Sequence, residues 1–280
     1  QMYPYRCPVS TPIPYEQAFR FLSYRTGVTE KDDYLMIDGF NEGVVNPYHC
    51  FAIYKLRIND KILLHGYLNE FILRHGGLTE HSIPIASALK VQNVFGDVAH
   101  IEAEVPNFSF GSWLRRILHV ARSWTLVIDE FVPNRNLDDL EMTTQWQLPS
   151  SPQVIDDMRL EYPTGSARAA IVPWEHSFLK VIEGIRKEDT PQSRMMLHVT
   201  NDVAQSIVRA RAKSGNTFRI MTLLGLQPAE GELRCSKLND QAALIETPEL
   251  TLAAIGSVEI SGSQVRIQAE VALIGENFIY

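Results

Sequence analysis

Cysteine is scarce. Cys7, Cys50 and Cys235 are the only thiols in 280 residues, and they stand far apart. An odd, scattered set writes neither a disulfide framework nor a zinc spacing, so a reducing compartment is the expectation. Long apolar runs are missing as well. None approaches the roughly 18 residues a membrane-crossing helix needs, so no membrane anchor is expected. The opening QMYPYRCPVSTPIPYEQ is polar, aromatic and proline-rich, unlike the basic start and apolar centre of a signal peptide. Gln1 in place of methionine leaves two readings open: an added residue, or a subunit cut from a longer polyprotein. Excess positive charge is a further absence, because the net charge is −7. That balance argues against tight, sequence-independent nucleic-acid binding and leaves room only for weak contact through local arginines.

Catalytic signatures are also absent. There is no G-x-S-x-G elbow, and FGSW at 110–113 contains Gly-Ser only superficially. No phosphate-binding glycine loop follows a strand. His65, His75 and His81 match no facial-triad spacing and lack a carboxylate ligand. The pairs Asp138-Asp139 and Asp156-Asp157 fall in turn-like stretches, where solvation and capping explain them. No catalytic, cofactor-binding or metal-ligating residue is therefore assigned, and no cofactor is expected. The basic clusters are Arg115-Arg116 and Arg209, Arg211 and Lys213. A helix-dipole position accounts for the second group; inter-subunit salt bridges or RNA phosphate contact is the sharper account of both.

Alternation is abundant. Hydrophobic residues make up 45% and charged residues 21%, enough for one large core or two modest ones. In IEAEV, Ile101, Ala103 and Val105 point one way and Glu102 and Glu104 the other, until Pro106 is expected to end the ladder. LEMTTQWQL puts Leu140, Met142, Trp146 and Leu148 on one face and Glu141, Thr143, Gln145 and Gln147 on a wetter or partner-covered one. YLMIDG at 34–39 and TLVIDEFV at 125–132 read as strands, and KILLHGYLNEFILRHGG as two. In YHCFAIYKLRIND, Phe51, Tyr54, Leu56 and Ile58 fit helix or strand about equally, with Pro47 favouring a short helix. WEHSFLKVIEGIRK (174–187) has helical spacing at Phe178, Val181, Ile182 and Ile185. A second helix capped by Thr200 or Asn201 would bury Val203, Ile207 and Val208. VRIQAEVALI (265–274) returns to alternation. The divisions expected are an extended arm at 1–33 with a short helical turn, a sandwich at 34–150, a linker at 151–159 that overlaps the Pro/Ser-rich LPSSPQVIDD (148–157), and a smaller α+β unit at 160–280.

The run IEAEVPNFSF, followed by WTLVIDEFVPNRNLDDLEMTTQWQL, resembles capsid proteins of picorna-like viruses of the insect type. The counterparts are Glu104-Val105-Pro106, Phe131-Val132-Pro133 and Leu140–Leu148. NPYHCFAIYKLRINDKILLHGYL resembles the family's lead into a central strand, with Asn59-Asp60 where Arg-Gly is usual. The end ALIGENFIY is similar to the family's Gly-acidic-acidic-Phe ends, with Asn277 replacing an acid. The resemblance covers mainly 34–148. It implies a mainly β, jelly-roll sandwich acting as a structural, non-enzymatic capsid protein of a non-enveloped positive-strand RNA virus. Its partners would be other capsid subunits in an icosahedral shell, genomic RNA held weakly, and a host receptor. Its location would be the virion, assembled in the host cytoplasm. Residues 160–280 would protrude or complete the shell. Two alternatives stay open: a two-domain β-sandwich binding carbohydrate or protein, and a jelly-roll metalloenzyme.

Overall fold

The computed structural model describes residues 13–39, 51–66, 69, 71–76, 78–79, 87–108, 110–156, 159–173, 178–182, 202–227, 234–239, 242–246, 250–255, 271–275 and 278–279. After a 3-10 turn at Tyr15–Gln17, every regular element among these residues is a strand. The first six are β1 (Phe21–Arg25), β2 (Tyr34–Asp38), β3 (Ala52–Ile58), β4 (Lys61–His65), β5 (Phe71–His75) and β6 (Leu78–Thr79). The long central strands are β7 (Ala88–Phe95), β8 (Val98–Phe108), β9 (Gly111–Val120), β10 (Trp124–Pro133) and β11 (Leu137–Gln147). Next come β12 (Gln153–Asp156), β13 (Arg159–Thr164), β14 (Ala167–Pro173), β15 (Phe178–Ile182), β16 (Val203–Ala212) and β17 (Phe218–Leu226). The last are β18 (Arg234–Asn239), β19 (Ala242–Glu246), β20 (Leu250–Ile255), β21 (Val271–Gly275) and β22 (Phe278–Ile279).

The protein is a mainly β sandwich. An eight-stranded sheet, ordered β12-β13-β14-β17-β10-β9-β8-β7, faces a five-stranded sheet, β15-β16-β11-β5-β6, and a four-stranded sheet, β1-β2-β3-β4. One apolar core joins all three: Trp113 of the large sheet stacks on Phe71 of the second at 5.2 Å, and Phe51, beside β3, lies 5.9 Å from Trp113. Alternation accounts for the outer strands. On β8, Ile101, Ala103 and Val105 are buried, and Glu102 turns to the other face. On β11, Leu140, Met142 and Trp146 enter the core, as expected, together with Thr144. The outer residues Thr143 and Gln145 are nevertheless almost fully buried, so that face is drier than its polarity suggests. The central strands bury both faces: Val127 and Phe131 face the main core, and Leu126 and Ile128 are buried on the other side. Hence TLVIDEFV reads as a continuous apolar run.

Several expectations change. β7 to β10 are consecutive neighbours in a meander, whereas a jelly roll interleaves its strands through two Greek keys. Period-2 alternation is identical in both, so it carries no information about strand order. β8 runs through Pro106 to Phe108, with a register shift after Val105 that accommodates a residue lacking an N–H. The arm at 1–33 is not simply extended: β1 hydrogen-bonds to β2 from Phe21↔Asp38 to Arg25↔Tyr34. The ambiguous stretch beginning at Tyr48 resolves into β3 over its described part. Both expected helices are strands where described, β15 and β16, paired Phe178↔Ile207 to Ile182↔Val203. Their β-branched residues suit a strand, and cross-strand partners outweigh local helical spacing. The division at 151–159 does not separate two sheets, because β12 lies within it and β17 pairs along β10 from Phe131↔Phe218 to Trp124↔Gly225. Thr200, Asn201 and residues 265–270 lie outside the described residues.

Candidate functional site

Directly paired residues of antiparallel strands share a face. In the four-stranded sheet, Leu35, Ile37, Ile53, Leu56 and Leu64 fill the inner face. Register puts Phe21, Ser23 and Arg25 of β1 on the outer face, across from Asp38, Met36 and Tyr34 of β2. Tyr34 then meets Arg57, Met36 meets Lys55, and Lys55 meets His65 of β4. These residues are exposed or half-buried apart from Asp38, which is the one acid in this set and lies at the Phe21 end. Arg25 sits over the Tyr34 ring at 4.3 Å, a cation–π contact that rigidifies both. Arg57 donates from Nε to the Asp32 carbonyl and from Nη2 to the Thr29 carbonyl, at 3.0 and 3.2 Å. The result is a platform of Arg25, Lys55, Arg57 and His65 interleaved with aromatic rings. Phe21, at 49% exposure, is the most open of these rings.

A bulge adds the remaining ring. Met36 pairs with Lys55 and Ile37 with Ile53, so Tyr54 between them is an extra, unpaired residue. Bulges re-aim side chains. Here the Tyr54 ring comes to rest 5.8 Å from the His65 ring, although the helix-or-strand pattern grouped Tyr54 with the buried Phe51, Leu56 and Ile58. The Gly66 N–H, just beyond His65, donates to the Tyr54 carbonyl at 2.9 Å. Gly66 has φ of +114°, and a Cβ there would lie 2.1 Å from Gln147 Oε1, so no other residue fits without displacing Gln147. The pair thus couples a phenol and an imidazole, two groups able to accept and return a proton, to nearby cations able to hold an anion.

Three further polar constellations, two fully buried and one partly buried, lie apart from this face. Arg115 and Asp129 form a two-pronged ion pair at 2.7 and 3.0 Å inside the core, with Trp113 Nε1 donating to the same carboxylate. On the opposite face of β9, Arg116 binds Glu102 at 2.8 Å and Glu130 at 2.6 Å, while Arg219 also binds Glu130. Burial pushes the Glu102 carboxyl up, but the hydrogen bond shared with His100 and the Arg116 charge outweigh it and hold the group below its ordinary range. The third set aligns a hydroxyl, an imidazole and a carboxylate: Thr125 Oγ1 lies 2.8 Å from His119 Nδ1, and His119 Nε2 lies 3.1 Å from Asp33 Oδ2. All three residues are fully buried, which bars a substrate from the hydroxyl. It works as a latch between the 26–33 loop and the β9–β10 hairpin. Burial raises the Asp33 carboxyl; bonds from His119 and from the Arg122 and Asn59 N–H groups together hold it below the usual range.

The groups weighed from sequence are dispersed. Arg115 and Arg116 face opposite sides of one strand, each paired with carboxylates, so they offer no joint phosphate contact. Arg209 sits on β16, not at a helix end, bonded to Glu141 with Arg74 on the other oxygen. His65 and His75 belong to different sheets, and His81 lies outside the described residues. Gly111 and Ser112 open β9, with Gly111 pressed against Phe131 and Val132. Of the candidates, only His65 enters the site described here. The signal for Tyr54 was the mixed periodicity of its segment, which a bulge produces.

The fold belongs to the class of antiparallel β-sandwiches built from several packed sheets. No protein-family model matches the chain, and no curated protein matches its sequence. Among solved structures, a mutant of the heparan sulfate lyase HepC from Pedobacter heparinus is similar, with a TM-score of 0.60 and 12% identity over 83% of this chain and 41% of that one. Heparinase III is similar with a TM-score of 0.59 and 9% identity, covering 93% of this chain and 40% of that one. The chain therefore spans about two-fifths of the length of these structures. At such identity, what is shared is the fold. These findings correct the capsid reading and the expectation of a non-enzymatic protein. The similar structures are enzymes named for heparan sulfate or heparin, not capsid proteins, and the segments that carried the picorna-like resemblance lie on β8, β10 and β11 of this sandwich.

Proposed function

We propose that this sandwich handles an acidic polysaccharide, as the glycan-contacting portion of a carbohydrate-active enzyme. The observation that carries the reading is the outer face of β1–β4, where Arg25, Lys55, Arg57 and His65 interleave with Phe21, Tyr34 and Tyr54. Aromatic faces receive the C–H faces of sugar rings, and guanidinium and ammonium groups pair with carboxylate or sulfate. A net charge of −7 repels a polyanion at long range, so binding requires cations gathered locally. The similarity to heparan sulfate lyase HepC and heparinase III supports the same class of ligand. The proton-moving groups of the face are His65 and Tyr54. In an elimination, a base takes the proton beside a uronate carboxylate, a carbon–carbon double bond forms, and the departing oxygen takes up a proton.

The experiment is titration of the full chain with heparan sulfate oligosaccharides and with a neutral glycan of equal length, alongside ultraviolet absorbance for unsaturated uronate. Selective binding of the acidic glycan, lost with Lys55→Glu, is expected. Binding without new absorbance would assign recognition to this chain and chemistry elsewhere. No preference for the acidic glycan would refute the proposal.

A further inference from the structure

Asn69 is fully buried, and nothing in its sequence context marks it. Its carboxamide spans both backbone neighbours of the Tyr54–His65 pair. Nδ2 donates to the carbonyl of Ile53, which precedes Tyr54, at 2.7 Å, and to that of Gly66, which follows His65, at 3.0 Å. Oδ1 accepts from the Gln147 N–H at 2.7 Å, holding the backbone of the residue whose side-chain amide lies over Gly66. From beneath, Arg115 Nη1 donates to the carbonyls of Phe51 at 2.9 Å and Asn69 at 3.3 Å. Phe51 itself holds φ of 58°. Two unusual backbone turns, at Phe51 and Gly66, thus bracket the pair and are tied to one side chain and the core arginine under it. Only a carboxamide supplies two donors at one end and an acceptor at the other within this volume.

We infer that Asn69 is the positioning residue of this site: it sets the spacing of Tyr54 and His65 by clamping the bulge of β3 to the end of β4 and to β11, with Arg115–Asp129 as its foundation. This rests on the reading that the pair contacts a glycan. Asn69→Asp keeps the shape and the acceptor, but removes both donors and turns a carboxylate toward two carbonyls. Displacement of preorganised groups by a fraction of an ångström to one ångström is costly.

The test compares wild type, Asn69→Asp and Asp33→Asn, the last a weakened latch remote from the pair. Nitrogen-edited NMR reads the His65 ring signals, assigned with His65→Gln, and calorimetry reads heparan sulfate affinity. Asn69→Asp should move the His65 signals and weaken binding about tenfold while melting cooperatively; Asp33→Asn should do neither at a similar loss of stability. Unmoved His65 signals in folded Asn69→Asp would overturn the inference, as would equal movement in Asp33→Asn. Should Asn69→Asp not fold, Asn69→Ser, which keeps one donor, carries the same comparison. Moved signals with a wild type that binds no acidic glycan would uphold the positioning role and overturn the glycan reading instead.

Discussion

Replacing Arg115 with Met tests how much of the fold hangs on one buried cation. Arg115 is fully buried and Asp129 is 1% exposed. Removing the guanidinium leaves the carboxylate with only the Trp113 indole N–H at 2.8 Å, and strips the carbonyls of Phe51 and Asn69 of a donor. Breaking a buried ion pair from one side costs about 3–5 kcal/mol, because a charge remains without its partner. Each orphaned carbonyl adds up to about 1–3 kcal/mol, and Met replaces part of the packing against Phe51, Trp113 and Trp146. The expected loss is at least about 4 kcal/mol, against a total of about 5–15 kcal/mol for a typical domain. Urea unfolding should show a much lower midpoint with an unchanged slope. Adding Asp129→Asn removes the stranded charge and keeps an acceptor for Trp113, so the double variant should recover about half the loss. A cost below about 1 kcal/mol, or no recovery in the double variant, would show that the pair is not a foundation.

Other outcomes follow from the same geometry. Trp146→Ala, at a fully buried core position, should cost about 3–5 kcal/mol in denaturant melts; a loss under about 1 kcal/mol would mean its strand face is not core. Gly66→Ala forces a Cβ into Gln147 at positive φ, and should lower stability by about 1–3 kcal/mol and weaken glycan binding; unchanged melting and affinity would contradict the close approach. Because the folded Asp33 carboxyl is depressed, its stabilisation is fully present above the unfolded carboxylate pKa of about 3.9 and is lost as pH falls through the folded value. Asp33→Asn should therefore flatten the acid limb of a stability–pH curve, and an identical limb in the variant would refute the latch. Lys55→Glu should weaken heparan sulfate binding about fivefold or more at low salt and make it less salt-dependent; equal salt dependence would place the anion contact elsewhere.

Local pattern was sufficient to place several of the strands. IEAEV and LEMTTQWQL lie on β8 and β11, because a period of two follows directly from the pleat, and the β-branched, aromatic run TLVIDEFV lies on β10. That Trp146 faces the core was legible for the same reason. The two expected helices failed because short apolar spacings do not separate helix from strand, and the choice was made by pairing of β15 with β16 and of β16 with β11. Strand order, meander against jelly roll, leaves no trace in alternation at all.

The site was illegible for a different reason. His65 was visible only as one of three histidines weighed for a metal, and Tyr54 looked like a core residue until the bulge against β2 turned it outward. Asn69 gained its role from carbonyls at 53 and 66 and an N–H at 147, and Arg115 from a partner at 129. What the sequence by itself determined was the mainly β character and much of the apolar face of the outer strands, since both depend on neighbours within a few residues. Only the tertiary structure decided which strands pair, which arginines are neutralised, and which rings and cations share a face. Those depend on hydrogen bonds and ion pairs between residues tens of positions apart, whose free energy exists only once the sheets have closed around their core.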